Sequence, residues 1–579
     1  MASDLVASWR SGGMPAAAKT AAGLRAQAET IVARAGGRPE HVGWTMVTIV
    51  SEHWRERLGS GASGRRLLLL PDCPVATQGK SPAEAAMPHV CGPSCAIGTI
   101  WAAARDSGWV VEPTSQAVAS IGALLTGQYD GILGIARLAH LEKAFAMLPA
   151  FSLPIAAVPF EPPADGAAGG SCADMLAAAA LDVEWVLGLL GVGGGAAAPV
   201  GDYLPLLREA AGMFTAASLA GLADRLGMPG GLGGETAAAV NPPIQPLDAT
   251  GWLAGDFLAR GGKFLRPFIT LAAFDAVSAD RTAGPQDSAA GRQPARDAVK
   301  AAAVAIEIFH KASLVHDDIE DDDRMRYGRP TMHVEHGIPS AINAGDYLLG
   351  LGYRIIASLP GVDAAIQRDL VAILADAHVR LAKGQGAELW WRDAGDKRLS
   401  PDESLAIYGL KTSPAFEAAV ATGIRLAGLQ PLEAGAIDRY ALHVGTGFQV
   451  LNDLKDWCGD LENDRRAAGD LLGGRPTLMW ALALERLPAE DVSRLAEIAR
   501  QAGRTEAAEA EIAAAIAETR RLYERADVFA RAAAIVDDQR SRAAAAAATC
   551  RLGRLRDVLE FLLDLAVPEQ AAAQFASRG

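Results

Sequence analysis

Two rhythms of hydrophobic residues divide this chain. Between about residues 67 and 165, RRLLLLPDC, WVVEP, DGILGIA and LPIAAVPF are short apolar runs that read as strands. CAIGTIWAAARDSG, AVASIGALLTGQ and AHLEKAFAML lie between them and read as helices. Strands alternating with helices predict parallel pairing through right-handed crossovers, hence a smaller Rossmann-like α/β domain over 67–165. Residues 1–66 read as a helical N-terminal segment ending at TMVTIVSEHWRERLGSGASG. Residues 166–244 read as linker and helices, Gly- and Ala-rich at first and closing in the flexible join GMPGGLGGETAAAVNPP. From 245 to 570 the pattern is almost wholly helical, with loops at DRTAGPQDSAAGRQPARD and GDKRLSPDES and no strand signal. An all-α domain is expected there.

Composition narrows the function. At 579 residues the chain is too long for one ordinary domain, and half of it is apolar. A formal net charge of −14 argues against nucleic acid and against strong attraction to anionic membranes. Six cysteines without even clustering suit a reducing compartment, and a cytoplasmic location is expected. MASDLVASWRSGGMPAAAK lacks a signal-peptide core. The apolar stretch VEWVLGLLGVGGGAAAPV is broken by GGG and proline, so no stable membrane insertion is expected.

Candidate chemistry lies in two acidic stretches. The first is His316–Thr331, HDDIEDDDRMRYGRPT, after the alanine-rich run AVKAAAVAIEIFHKASLV. In helical phase Asp317 and Asp321 face the same way, with Asp318 beside them. Such carboxylates pack poorly but offer oxygens to a hard divalent cation. Magnesium takes one or two carboxylates plus substrate phosphates. Taken alone, the run is better read as a solvated acidic face, and no glycine stands at the sixth position of a calcium loop. The second stretch, FQVLNDLKDW, changes that reading. Its Asn452, Asp453 and Asp456 could face the first motif across a cavity and hold a diphosphate through magnesium.

Together these residues resemble the trans-prenyl diphosphate synthase (polyprenyl synthetase) family, over roughly residues 245 to 565. The motifs are DDxxD (Asp317, Asp318, Asp321) with the following RMRYGRPT, GGKxxRP (Gly261, Gly262, Lys263, Arg266, Pro267), a GQ pair (Gly384, Gln385), a KT pair (Lys411, Thr412) and FQxxDDxxD, here FQVLNDLKD. The resemblance implies an all-α isoprenoid synthase bundle that condenses isopentenyl diphosphate with an allylic prenyl diphosphate. It implies Mg2+ held by Asp317, Asp318 and Asp321 on one side and by Asn452, Asp453 and Asp456 on the other. Lys411, Thr412, Gln449 and Arg475 would contact substrate, with Lys411 and Arg475 on the allylic diphosphate. Lys263 and Arg266 would hold that of isopentenyl diphosphate, with Arg326 as a further contact. A homodimer is expected from the same resemblance.

Two positions depart from the family pattern: Asn452, where aspartate is usual, and Tyr327, where a second arginine is common. The Asn452, Asp456, Asp460 spacing is also similar to the second metal motif of class I terpene cyclases. Such a cyclase is one alternative, although it would not need Lys263 and Arg266. A non-catalytic, diphosphate-binding regulatory subunit is the other, although it would not need three clustered carboxylates. For chain length, Ala312 and Ser313 leave the first floor of the cavity open, and Phe309 is large enough to close the next. One helical turn adds about 5.4 Å, roughly one isoprene unit, so a product of about twenty carbons or longer is expected.

The 67–165 segment resembles the cysteine-bearing bacterial domain of unknown function 116, through LLLPDC, CGPSC, GIA…LEKA and PIAAVPF. Lys80, Arg137 and Ile155 stand where other cysteines of that family would be expected. Cys73, Cys91, Cys95 and Cys172 could just supply four soft ligands. The expectation is thiols left from an eroded site.

Overall fold

The computed structural model describes residues 21–34, 36–39, 41–59, 65–71, 96–160, 181–191, 202–225, 246–282, 295–395, 398–429, 434–458, 468–472, 475, 477–502, 509–569 and 571–576. The chain forms two compact units, Met1–Arg208 and Glu209–Gly579.

In the first unit the four apolar runs form β1 (Arg66–Leu70), β2 (Trp109–Pro113), β3 (Gly131–Arg137) and β4 (Ile155–Phe160). All pairs are parallel, in the order β2-β1-β3-β4. Parallel strands need crossovers. Helices α1 (Ala96–Asp106), α2 (Ala117–Leu125) and α3 (Leu138–Met147) lie between successive strands in the sequence. Leu67–Leu70 and Ile155–Pro159 are buried, as a sheet covered on both faces requires. A helix over His41–Gly59 packs on β4, where Ser51 both donates to the Ala157 carbonyl (2.7 Å) and accepts from its N–H (2.9 Å). Arg137 ends β3 exposed and Ile155 is buried at the start of β4. Cys73, Cys91, Cys95, Cys172 and Lys80 lie outside the described residues.

The second unit is almost wholly helical. Its main helices are α4 (Ala249–Ala259), α5 (Leu265–Thr282), α6 (Arg296–Glu320), α7 (Ile338–Ala357), α8 (Ala364–Asp393), α9 (Pro401–Leu426), α10 (Ala434–Asp456), α11 (Leu478–Arg486), α12 (Val528–Ala548) and α13 (Gly553–Ala566). Helix α9 starts at a capping box, Ser400 with Glu403, and has Pro401 in its first turn, where the missing N–H costs nothing. It is the centre of the bundle, packing on α5, α8 and α10, while α6 packs on α5 and α7. Gly384 lets α8 approach α9: a Cβ there would stand 2.7 Å from the Lys411 backbone nitrogen. Two of the sequence motifs are thereby brought side by side. Among the described residues no helix is long and apolar enough to cross a membrane.

One feature departs from the expected absence of strands. Met325–Arg326 and Arg329–Pro330 form a two-stranded antiparallel ladder. Its loop is Tyr327-Gly328, both at positive φ (53° and 72°), the backbone of a type I′ turn. Four residues of strand are too short to leave a periodic signal, and tyrosine is not a residue from which such a turn is read.

Candidate active site

A cavity of about 400 Å³ opens among α6, α7, α8, α9 and α10. It is lined by Asp317 and Glu320 from α6, Gln385 from α8, Lys411 and Thr412 from α9, and Phe448, Gln449 and Asn452 from α10, with Arg266 from α5. Deeper along α6 it is lined by Ser313, His310, Phe309 and Ile306, facing Leu349, Leu374 and His378. Charged groups and apolar walls therefore share one cavity.

The first acidic motif splits by helical phase. Asp317 faces the cavity. Burial, with the nearby charges of Glu320 and Asp321, lifts its carboxyl to about 7 against the pull of Lys411. Asp321, one turn on, accepts from Arg475 Nη1 at 2.8 Å and lies 3.6 Å from Arg392. Asp318 is turned inward, 1% exposed, and accepts from Arg326 Nε at 2.6 Å. Its second oxygen is buried without a hydrogen-bond partner.

The second motif splits more sharply. Asn452 lines the cavity. Asp453 is buried and accepts from the Tyr408 hydroxyl at 2.6 Å. Burial, then the charges of Asp470, Glu388 and Asp456, hold its carboxyl well above the usual carboxylate range. Asp456 accepts from the backbone N–H groups of Gly469 and Asp470, both at 3.1 Å, and so pins the short helix Gly469–Leu472.

The cations lie against these acids. Lys411 donates to Glu388 at 2.6 Å. Arg475 spans Asp321 and Asp470, the latter at 3.4 Å. Lys263 is exposed on the turn before α5, and Arg266 lines the cavity with its Nε buried and without a hydrogen-bond partner. Burial and the charge of Lys263 push the Lys455 ammonium down to about 8, so cations also converge below the GGK turn. Of the chain-length residues, Phe309 and Ser313 line the cavity. Ala312 is fully buried (0% exposed) and is absent from that lining. Phe309 packs edge-on against Tyr353, with centroids 4.7 Å apart, and a Cβ on Gly352 would meet its ring at 2.8 Å.

Sequence reasoning missed Glu320, Glu388, Arg392, Tyr408 and Asp470. Glu320 accepts from Gln385 at 2.7 Å, and burial with the charge of Asp456 raises the Asp470 carboxyl to about 6. Helical phase could have found two of these: Glu320 is one turn from Asp317, and Glu388 one turn from Gln385. Tyr408 and Asp470 offered no such signal.

The donor set suits a hard cation. Asp317, Glu320 and Asp321 offer only oxygens, and a divalent ion would favour the carboxylate form of Asp317 against the burial and the neighbouring charges that raise it. Among the described residues no three such side chains form a complete metal site. Magnesium does not need one, because it is completed by substrate phosphates and water.

The comparisons with known proteins agree with this geometry. A family model described as polyprenyl synthetase matches residues 253–518. A short chain isoprenyl diphosphate synthase from Methanothermobacter thermautotrophicus is 32% identical over 242 residues, covering 42% of this chain and 69% of that protein. A geranylgeranyl pyrophosphate synthase from Geoglobus acetivorans is also 32% identical, over 40% of this chain and 67% of its own length. Among solved structures, a geranylgeranyl pyrophosphate synthetase from Pyrococcus horikoshii superposes with a TM-score of 0.50 at 24% identity, over 63% of this chain and 98% of that one, which bears on the fold alone. With its motifs gathered around one cavity and two thirds of a curated relative aligned, this chain belongs to the polyprenyl synthetase family.

Proposed function

We propose that the chain is a magnesium-dependent trans-prenyl diphosphate synthase, condensing isopentenyl diphosphate with an allylic prenyl diphosphate. The observation that carries this reading is one cavity with an acidic, cation-rimmed mouth at Asp317 and an apolar interior reaching Phe309. Bound Mg2+ would neutralise the departing diphosphate as the allylic cation forms. Asp317 and Asp321 are the carboxylates suited to hold it on α6, with Asn452 offering a neutral oxygen across the cavity. Lys411 and Arg475 orient the allylic diphosphate, with Thr412 and Gln449 beside it. Arg266 and Lys263 hold the second diphosphate, with Arg326, itself held in place by Asp318, as a further contact. Asp453, hydrogen-bonded to Tyr408, ties α10 to α9 behind Asn452, and Asp456 anchors the segment bearing Asp470 and Arg475. The double bond of isopentenyl diphosphate attacks the cation, and the proton then lost passes to the released diphosphate.

Elongation is favoured over cyclisation because Arg266 presents a guanidinium to the cavity, which a cyclase would not use. Phe309, two helical turns before Asp317, lies roughly 12 Å deeper, which supports a product of about twenty carbons or more. Incubating the protein with magnesium, isopentenyl diphosphate and allylic diphosphates of several lengths, with products read by mass spectrometry, tests the assignment. A chain that consumes none of them overturns it.

The synthase domain is assigned to 245–570, and the β2-β1-β3-β4 order supports a Rossmann-like reading of 67–165, since it is a doubly wound order. A cytoplasmic homodimer is the expected assembly. Ile338 and Ile342, one turn apart on α7 and both exposed, form an apolar pair that a second copy would cover. Light scattering should return twice the mass of the chain.

A further inference from the structure

Lys311 on α6 is fully buried (0% exposed), yet the mechanism above does not use it. Its ammonium donates to the carbonyl of Gly261. It also sits 4.2 Å from the ring centroid of Tyr327, 5.4 Å from that of Phe257 and 5.9 Å from that of Phe264. A desolvated cation among aromatic faces is a strong contact.

Two unusual pieces of backbone meet at this nitrogen. One is the turn that carries Lys263 and leads into Arg266, where Gly261 (φ 114°), Gly262 (φ 137°) and Phe264 (φ 47°) are all at positive φ. The other is the hairpin that carries Arg326, with Tyr327 at φ 53°. Bulky residues in this region are rare and persist only where surrounding contacts hold them. Phe264 and Tyr327 are such residues, and the rings of both turn to the same ammonium.

The electrostatics point the same way. The His310 imidazole, which lines the cavity, is held well below its ordinary range by burial and then by the charges of Arg266, Lys311 and Arg326. Glu307 is the carboxylate buried among these cations. Cations gathered behind one cavity wall suit an anionic ligand.

We propose that Lys311 is a positioning residue for the second diphosphate. It ties the Gly261–Phe264 turn and the Tyr327 hairpin to α6, so that Lys263, Arg266 and Arg326 converge on one anion. It does so from inside the protein, through the Gly261 carbonyl and the two rings, without touching substrate. This deepens the prenyl-transfer reading and rests on it.

Steady-state kinetics on the full chain, varying each diphosphate in turn, provide the test. Lys311→Met should raise the KM for isopentenyl diphosphate about tenfold or more while that for the allylic substrate stays within about twofold. Tyr327→Leu, at an exposed hairpin tip, should give the same selective rise and carries the test alone if Lys311→Met does not fold. Unchanged KM values in folded protein, or equal rises in both, would overturn the inference. A wild-type chain that forms no condensation product would overturn the prenyl-transfer reading itself, and this inference with it.

Discussion

The Tyr408 hydroxyl donates to a carboxylate oxygen of Asp453 at 2.6 Å, with both side chains buried. The same hydroxyl accepts from the Leu478 N–H at 2.8 Å. An aspartate of the second motif is thus part of the joint between α9, α10 and α11, while its neighbour Asn452 faces the cavity. The two acidic motifs should respond differently to mutation. Asp453→Ala should lower turnover and also cost about 1–3 kcal/mol of stability, because it strands the Tyr408 hydroxyl. Asp317→Ala should lower turnover on the order of 10²-fold with little loss of stability. Thermal melts beside rate measurements check this; equal melting temperatures for the two variants would contradict it.

The second prediction concerns pH. The folded carboxyl of Asp317 titrates near 7, above its unfolded value. Between these values the folded state binds more protons, so this group's contribution to stability is lost as pH rises toward 7. Metal binding needs the carboxylate and releases the proton. The magnesium concentration for half-maximal activity should therefore rise roughly tenfold per unit as pH falls below 7. Thermal stabilisation by magnesium should be larger at pH 8 than at pH 6. A flat response would show that Asp317 is not a ligand.

Product length follows from the cavity lining. Phe309→Ala should lengthen the product distribution, and Ser313→Phe should shorten it, since both positions face the cavity. Ala312→Phe enters a fully buried position and should mainly destabilise, by about 1–3 kcal/mol. Mass spectra of products with melting curves separate the two effects. An unchanged distribution in active Phe309→Ala would place the floor on another helix.

The N-terminal unit should be dispensable for chemistry, because the residues of the cavity lie in Glu209–Gly579. A fragment beginning at Leu204 should condense substrates at a rate close to that of the full chain. One beginning at Thr236 should melt lower, because it loses the Glu209 contacts to Arg296 (2.6 Å) and Lys300 (3.1 Å). A folded but inactive Leu204 fragment would assign the first unit a part in the site.

Much of this was legible in the sequence because the relevant signals are local. The four strands, of five to seven residues, stand where the sequence carries short apolar runs. The inward aim of Asp317 follows from its place on an amphipathic helix. What was not legible depends on contacts between distant residues. Tyr408 and Asp453 are 45 positions apart, and Arg475 reaches Asp321 across 154. Lys311 reads as one more polar residue of a long helix, since its ring cage comes from residues 257, 264 and 327. The sharing of labour within FQVLNDLKD was hidden too, because its period alone did not say that Asn452 meets the cavity while the adjacent Asp453 meets a tyrosine.

The most direct test of the central claim is stoichiometry: diphosphate released per isopentenyl unit incorporated, measured with magnesium, an allylic diphosphate and labelled isopentenyl diphosphate. The account predicts one diphosphate for each unit added to a growing prenyl diphosphate, and no release when magnesium is chelated. Diphosphate release without incorporation of the label would mark a cyclase or hydrolase and contradict the account.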